Sequence, residues 1–504
     1  TGRIDVDINA RTQSPPSALD SVVTLWNSSV SWLQQNDDDG ASYDSYLVYT
    51  NTAGSATFYI SVEPYGGNGS ADSFYDLTVQ CQGLGAGPPP PASGPVGDDD
   101  TWTVMLFLNA EDPNFASILT GYRTAIEAFI GAKSSFLTVV ILYDGPGSDD
   151  TTRYVVQPNG AYTVGVNKWN LGELNMGAPG TLADFANWAM EQYPAEHYYL
   201  SVDDHGDGAY GISQDDHPSY GDLLEPPELY AALKAATLDG ARKIDIFDYE
   251  ACLMGLVENA YDVRQWVDYV VFFEQISWGV NTYPAYLADL AATDAPVDLG
   301  RRIVDRYHAA ALQANGGRGY PHTISLIDTG QMAVLRDAVT SFASALQAAG
   351  NRDGIKSARN SSQAFAADID ATNPLRAEYI DLWDLAHNAG AGGLAPTQAA
   401  AVRSAVEAAV VHERHASGQV SGYEWDHSGA YGLSIYYPPA KSSSAFARYG
   451  DHYQMSHEGG WDEFLNWAVD AGIGRGMTSH RAEIKLTGGD AFASREVYLP
   501  LVIK

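Results

Sequence analysis

Cys252 is one of two cysteines in 504 residues, set in Asp248-Tyr249-Glu250-Ala251-Cys252-Leu253-Met254-Gly255 just past an apolar run. A His-Gly pair, His205-Gly206, ends another such run 47 positions earlier. A thiol and an imidazole at two strand ends can carry out acyl transfer. The thiolate attacks a carbonyl carbon, and the imidazole takes a proton and returns it to the leaving amine. Gly206 has no side chain, so its N–H can approach a developing oxyanion, and the Cys252 N–H supplies a second donor. Leu253, Leu256, Val257, Ala260, Tyr261 and Arg264 follow at helical spacing. That spacing predicts a helix with the sulfur at its N-terminus, where the dipole favours thiolate over thiol.

A lone buried Cys is usually a small inert hydrophobe, and a lone His is usually a hydrogen-bonded structural residue. Together, on suitable strand ends, the two favour chemistry. The run Asp203-Asp204-His205-Gly206-Asp207 admits a metal site or a pair of glycosidase carboxylates instead. Neighbouring aspartates on a strand point to opposite faces, which argues against their acting as one pair. The chain contains no Gly-x-Ser-x-Gly elbow, His-Glu-x-x-His, phosphate loop or dinucleotide fingerprint. Cys81 reads as structural, at the end of a strand.

The groups need a sheet to hold them. Thr103–Leu108 and Leu137–Leu142 are continuous apolar runs, as expected of parallel strands covered on both faces. Further strands are expected at His197–Val202 and Lys243–Phe247, with helices over about Leu182–Gln192 and Pro227–Leu238. Alternating strands and helices predict an α/β fold: a mostly parallel sheet with helices on both faces. Catalytic groups of such sheets collect beyond the carboxyl ends of the strands. A helix-rich block follows at about 300–412, then a buried strand near Gly432–Pro438.

Residues 1–83 read as a small all-β sandwich, with strands near Ser45–Tyr49, Ala56–Val62 and Phe74–Val79. Residues 84–100, rich in Pro, Gly and Asp, read as a linker. The α/β domain spans 101–473, and 474–504 reads as a C-terminal β tail.

With 28 basic and 63 acidic groups the formal charge is −35, a field that repels nucleic acid and anionic membrane and attracts basic peptides or cations. Neither nucleic-acid binding nor membrane insertion is expected, because no stretch reaches the ~18 apolar residues of a membrane helix. Two cysteines make neither a disulfide framework nor a four-thiolate zinc site.

The resemblance is carried by stretches in a fixed order. They are Trp102-Thr103-Val104, Asn109-Ala110-Glu111-Asp112, Gly172–Gly177, Thr181–Phe185, Tyr193–Tyr198, Asp204-His205-Gly206, Ala251–Gly255, Gly432–Tyr436 and Trp461–Leu465. Over residues 101–470 the chain resembles the clostripain family of cysteine peptidases, which share the caspase-like fold. The resemblance implies that His205 is general base and acid and Cys252 the nucleophile. It implies protein or peptide substrates cut after Arg or Lys, held by an acidic pocket that includes the residue two before the cysteine. Here that residue is Glu250, where the family usually has Asp, so the pocket is one methylene shallower. Glu274 is expected as a second acidic wall, or else as a solvent-facing carboxylate; Trp278 and Tyr283 are expected to line the groove.

No cofactor is needed for the chemistry. Calcium dependence occurs in the family, and the acidic loops Asp37–Asp39 and Asp215-Asp216 suit it, although no EF-hand spacing exists. In the N-terminal part, Asp37-Asp38-Asp39-Gly40, Tyr43–Tyr46, Gly54 and Tyr59-Ile60 resemble bacterial pre-peptidase C-terminal domains. A secreted or cell-surface bacterial protein is expected. The alternative reading is a catalytically silent binding protein that keeps the caspase-like fold and holds cations or basic ligands on its acidic surface.

Overall fold

The computed structural model describes residues 2–9, 21–27, 32–36, 46–51, 58–64, 76–82, 101–216, 222–280, 282–366, 377–420, 422–441, 443 and 445–469. The chain divides into two compact units, Thr1–Ala92 and Ser93–Lys504. The expected linker at 84–100 and the β tail at 474–504 lie outside the described residues.

Among the described residues, the first unit holds six strands in two antiparallel sheets of three. Gly2–Asn9 is central in one and Ser21–Asn27 in the other. Cys81 stands opposite Ile4 on the strand Asp76–Gln82.

The second unit is built on a nine-stranded sheet. Its strands in chain order are β1 (Trp102–Asn109), β2 (Leu137–Asp144), β3 (Thr151–Val155), β4 (Lys168–Gly172) and β5 (His197–Asp203), then β6 (Ile244–Glu250), β7 (Val267–Phe272), β8 (His322–Asp328) and β9 (Val410–Ala416). The spatial order is β4-β3-β2-β1-β5-β6-β7-β8-β9. The central five strands, from β2 to β7, run parallel. The pairings outside them are antiparallel.

The apolar runs sit where two-sided burial demands them: every residue of β1 is buried. One face packs on α2 (Pro179–Gln192), α3 (Pro226–Ala236), α4 (Val257–Val263) and α7 (Met332–Ala349), through Leu182, Phe185, Leu233, Val257 and Phe342. The other packs on α1 (Pro113–Glu127), α5 (Tyr283–Asp289) and α6 (Pro296–Gly317), through Leu119, Tyr122, Tyr286, Ile303 and Tyr307. Alternate residues of each central strand feed the two cores, as the period of two in a pleated strand requires. Among the described residues no helix is long and apolar enough to cross a membrane.

Candidate active site

The register between β5 and β6 brings His205 and Cys252 to one edge. Asp203 pairs with Glu250 across this parallel ladder, and His205 and Cys252 each lie two residues beyond that pair. Their loops are in contact: a Cβ on Gly206 would fall 2.7 Å from the Cys252 carbonyl oxygen and 2.8 Å from the Ala251 Cβ. Only glycine fits there. Gly206 bridges to Ile212 through bonds from Ser213 N to His205 O and from Asp207 N to Gly211 O. The N–H of Gly206 itself takes no part in that bridge.

The imidazole is oriented by a residue just past β1. His205 Nε2 lies 3.3 Å from Asp112 Oδ2. Burial alone lowers an imidazole's pKa. The hydrogen bond to Asp112 and the charges of Asp204, Asp112 and Asp216 outweigh it and hold His205 above its ordinary value. Asp204 is clamped in turn: its Oδ2 accepts Gln214 N at 2.7 Å and Asn109 Nδ2 at 3.1 Å.

Asp203, on the opposite side of the strand, is buried with Asp248 and Glu250. All three carboxyls are held above their ordinary range, chiefly by burial; the charge of Glu250 adds for the two aspartates. Asp203 and Asp204 therefore do not form one pair, as the strand geometry predicts.

The sulfur is not at a helix N-terminus. α4 starts at Val257; before it the chain turns at Leu253, whose φ is 64°, and Leu253 N donates to Gln275 O and Gly255 N to Phe273 O. Leu256 then bridges to Ser434. This backbone pairing beyond β7 wins over the helical spacing of the side chains. Without a dipole in line, burial dominates and pushes the Cys252 thiol up to about 12, with Asp207, Glu250 and Asp204 adding to the shift. The Ser277 carbonyl, 4.0 Å from Sγ, is its hydrogen-bond acceptor.

Glu250 is buried beside the thiol and accepts the Ser277 hydroxyl at 2.8 Å. Burial raises its carboxyl to about 7 against the pull of that hydrogen bond. Glu274 is neither an open acidic wall nor a solvent-facing group. It is 1% exposed, and its two oxygens accept Gly432 N and Ser434 Oγ, both at 3.0 Å. It ties β7 to the strand Ser434–Tyr436.

Tyr283 does not line a groove either. It is buried in the α1/α5/α6 core, with its hydroxyl 2.5 Å from Ser201 Oγ and its ring edge-on to Tyr122. Trp278 is buried, donates its indole N–H to Pro321 O at 2.6 Å and stacks on Tyr320 with ring centroids 4.3 Å apart. It backs a cleft of about 600 Å³ lined by Ile118, Gly279, Val280 and Tyr320.

Sequence reasoning missed Asp112 and Ser277 as neighbours of the site. Asp112 lies inside the Asn109–Asp112 motif, which marks it as a candidate without giving its partner. Among the described residues, two groups of carboxylates have metal-binding spacing: Glu111/Asp144/Asp215 and Asp144/Asp150/Glu173. Burial and the nearby acids Glu173, Asp215 and Glu111 raise Asp144 to about 8, against the Thr151 hydrogen bond.

A central parallel sheet with a thiol and an imidazole loop meeting at the ends of adjacent strands defines a caspase-like α/β architecture. A sequence profile of the clostripain family matches residues 123–468, and the chain belongs to that family. Clostripain of Hathewaya histolytica is 28% identical over 210 residues, covering 35% of this chain and 39% of that protein. The chain thus spans well under half the length of the curated relative it matches. Two solved structures share the fold. A secreted C11 cysteine protease from Bacteroides thetaiotaomicron, bound to an irreversible peptide inhibitor, is 17% identical with a TM-score of 0.54, covering 72% of this chain and 99% of that one. An inactive zymogen C11 protease from Parabacteroides distasonis is 17% identical with a TM-score of 0.51, covering the same shares.

Proposed function

We propose that the chain is a secreted cysteine endopeptidase that cleaves peptide bonds after Arg or Lys, with Cys252 as nucleophile and His205 as general base and acid. The carrying observation is the equal offset of these two residues beyond the paired Asp203 and Glu250. With the thiol pushed up to about 12, the free protein holds its proton on sulfur. Attack is therefore coupled to proton transfer: His205 accepts the proton as Sγ bonds to the carbonyl carbon, and the acids around it favour the imidazolium formed. The carbonyl oxygen takes the negative charge beside the Gly206 and Cys252 N–H groups. His205 then protonates the leaving amine, and water hydrolyses the thioester with the same imidazole as base.

Glu250 is the pocket acid for a guanidinium or ammonium, supported by its burial and by its closeness to the thiol, which its charge raises. The test is hydrolysis of fluorogenic peptides ending in Arg, Lys or Asp at the cleaved bond. Arg and Lys peptides are expected to be cut, and Cys252→Ala and His205→Ala to abolish turnover. Undiminished hydrolysis by Cys252→Ala overturns the nucleophile; preference for the Asp peptide overturns the pocket. Enzyme recovered only inside intact cells would refute secretion.

A further inference from the structure

Asp203 and Glu250 are register partners at the carboxyl ends of β5 and β6. Paired residues of neighbouring strands share a face about 4.8 Å apart, so the two carboxyls stand side by side. Each lies two residues short of a proposed catalytic group. After burial, the charge of Glu250 is the strongest influence raising Asp203. Two acids so placed repel each other unless they hold a proton or share a cation.

Each acid is held by one hydroxyl and keeps one oxygen over. Among the described residues, Glu250 Oε1 takes the Ser277 hydroxyl at 2.8 Å and Oε2 takes no donor. The Tyr283 hydroxyl bonds to the Asp203 carboxyl, yet Asp203 Oδ2 has no hydrogen-bond partner. Asp203 is only 7% exposed. An orphaned oxygen at that depth is costly, and it is the independent sign of a ligand that brings N–H donors. Among the described residues, the carboxylate groups with metal-binding spacing do not include Asp203, Asp248 and Glu250. That spacing favours a cation larger than a metal ion.

From this geometry we propose that Asp203 is a specificity-determining residue, which with Glu250 grips the guanidinium of an Arg side chain and ranks Arg above Lys. Asp203 thereby becomes the second acid of the endopeptidase pocket proposed above, on which reading its role rests. A guanidinium is planar and offers five N–H donors along its edges, enough to serve two carboxylates at once. The Lys ammonium is a compact, strongly hydrated point charge with three donors on one atom. One acid suffices for it, and the Asp203 oxygen stays orphaned. Asp248 continues the same face two residues back along β6, about 6–7 Å deeper. It is fully buried and takes the Tyr199 hydroxyl at 2.6 Å, so it lies below the gripped group and acts on it through charge alone.

The test reads binding without turnover. The full chain carrying Cys252→Ala is titrated calorimetrically with three otherwise identical peptides that place Arg, Lys or citrulline before the bond to be cut. Arg should bind at least about tenfold tighter than Lys, and citrulline, which keeps the shape of Arg without its charge, weakest. Adding Asp203→Asn should weaken the Arg peptide about tenfold to a hundredfold, the worth of a charge-assisted bond, and the Lys peptide less than about threefold. The amide keeps the size and removes a buried acid, so the thermal midpoint should stay level or rise; Asp203→Ser, expected to level the two peptides likewise, serves if the amide does not fold. Asp248→Asn should leave the Arg-to-Lys ratio within about twofold. Three results overturn the assignment: wild-type pockets that bind Lys as tightly as Arg, a ratio unmoved by Asp203→Asn, or an equal shift in Asp248→Asn. A wild-type chain that cuts nothing yet prefers the Arg peptide through Asp203 refutes the endopeptidase and keeps this residue's role. An active enzyme with an unmoved ratio removes Asp203 alone.

Discussion

Two residues at the proposed site carry pKa shifts that make opposite demands. Cys252 holds its proton because it is buried among acids, whereas Glu250 must lose one to attract a cation. With the thiol at about 12, the thiolate fraction grows with pH throughout the neutral range. Alkylation of the free protein by iodoacetamide should therefore speed up about tenfold per pH unit from 7 to 9; a plateau below pH 8 would show a depressed thiol instead. Glu250 is half-neutral at about pH 7, so turnover of Arg peptides should fall as pH drops through 7. His205, which must be neutral to accept a proton, pushes the acid limb the same way. Glu250→Gln separates the two. It should lower kcat/KM for Arg peptides by roughly 2–5 kcal/mol, about 30-fold to several thousand-fold, while leaving the His205 limb in the profile. Residue type at the ends of recognisable apolar runs marked Cys252 and His205 as candidates, whereas Glu250 was marked only through the family resemblance. Glu274 was misread for want of its partners: nothing near it in sequence announces Gly432 and Ser434, some 160 positions away.

Elements decide whether those residues can meet. The parallel ladder of β5 and β6 sets the offset, and the contact between Gly206 and the Cys252 turn closes the gap. Gly206→Ala would force its methyl into the Cys252 carbonyl. The prediction is a drop of at least about tenfold in kcat and a stability loss of about 1–3 kcal/mol from overpacking, read by kinetics and thermal melting on the same sample. An alanine variant with full kcat would show that the two loops have slack. The central strands are readable because two-sided burial writes continuous apolar runs. The start of α4 is not: Leu253 and Leu256 match helical spacing, yet their backbones pair with the extension of β7 and with Ser434. Side-chain periodicity cannot report a backbone hydrogen bond to a strand still to come.

Across the molecule, burial of acids sets the response to pH. Glu258, Asp262 and Asp381 are buried, and burial raises each to about 7 despite hydrogen bonds that pull the other way. In the unfolded chain such groups ionise near pH 4. Between about pH 4 and 7 the folded chain therefore binds more protons than the unfolded one, and stability falls as pH rises. The contribution of these carboxyls is fully present below about pH 4 and is lost on passing 7. A formal charge of −35 acts in the same direction, because self-repulsion grows as the acids ionise. The thermal midpoint in chelator should be higher at pH 5.5 than at pH 8, by roughly 5 °C or more. Salt separates the two causes, since about 0.5 M screens exposed charges far better than buried ones. If buried carboxyls dominate, most of the slope survives in salt. A slope abolished by salt would assign it to the acidic surface, and a midpoint that rises with pH would mean that these buried acids are ionised and paired in the folded chain.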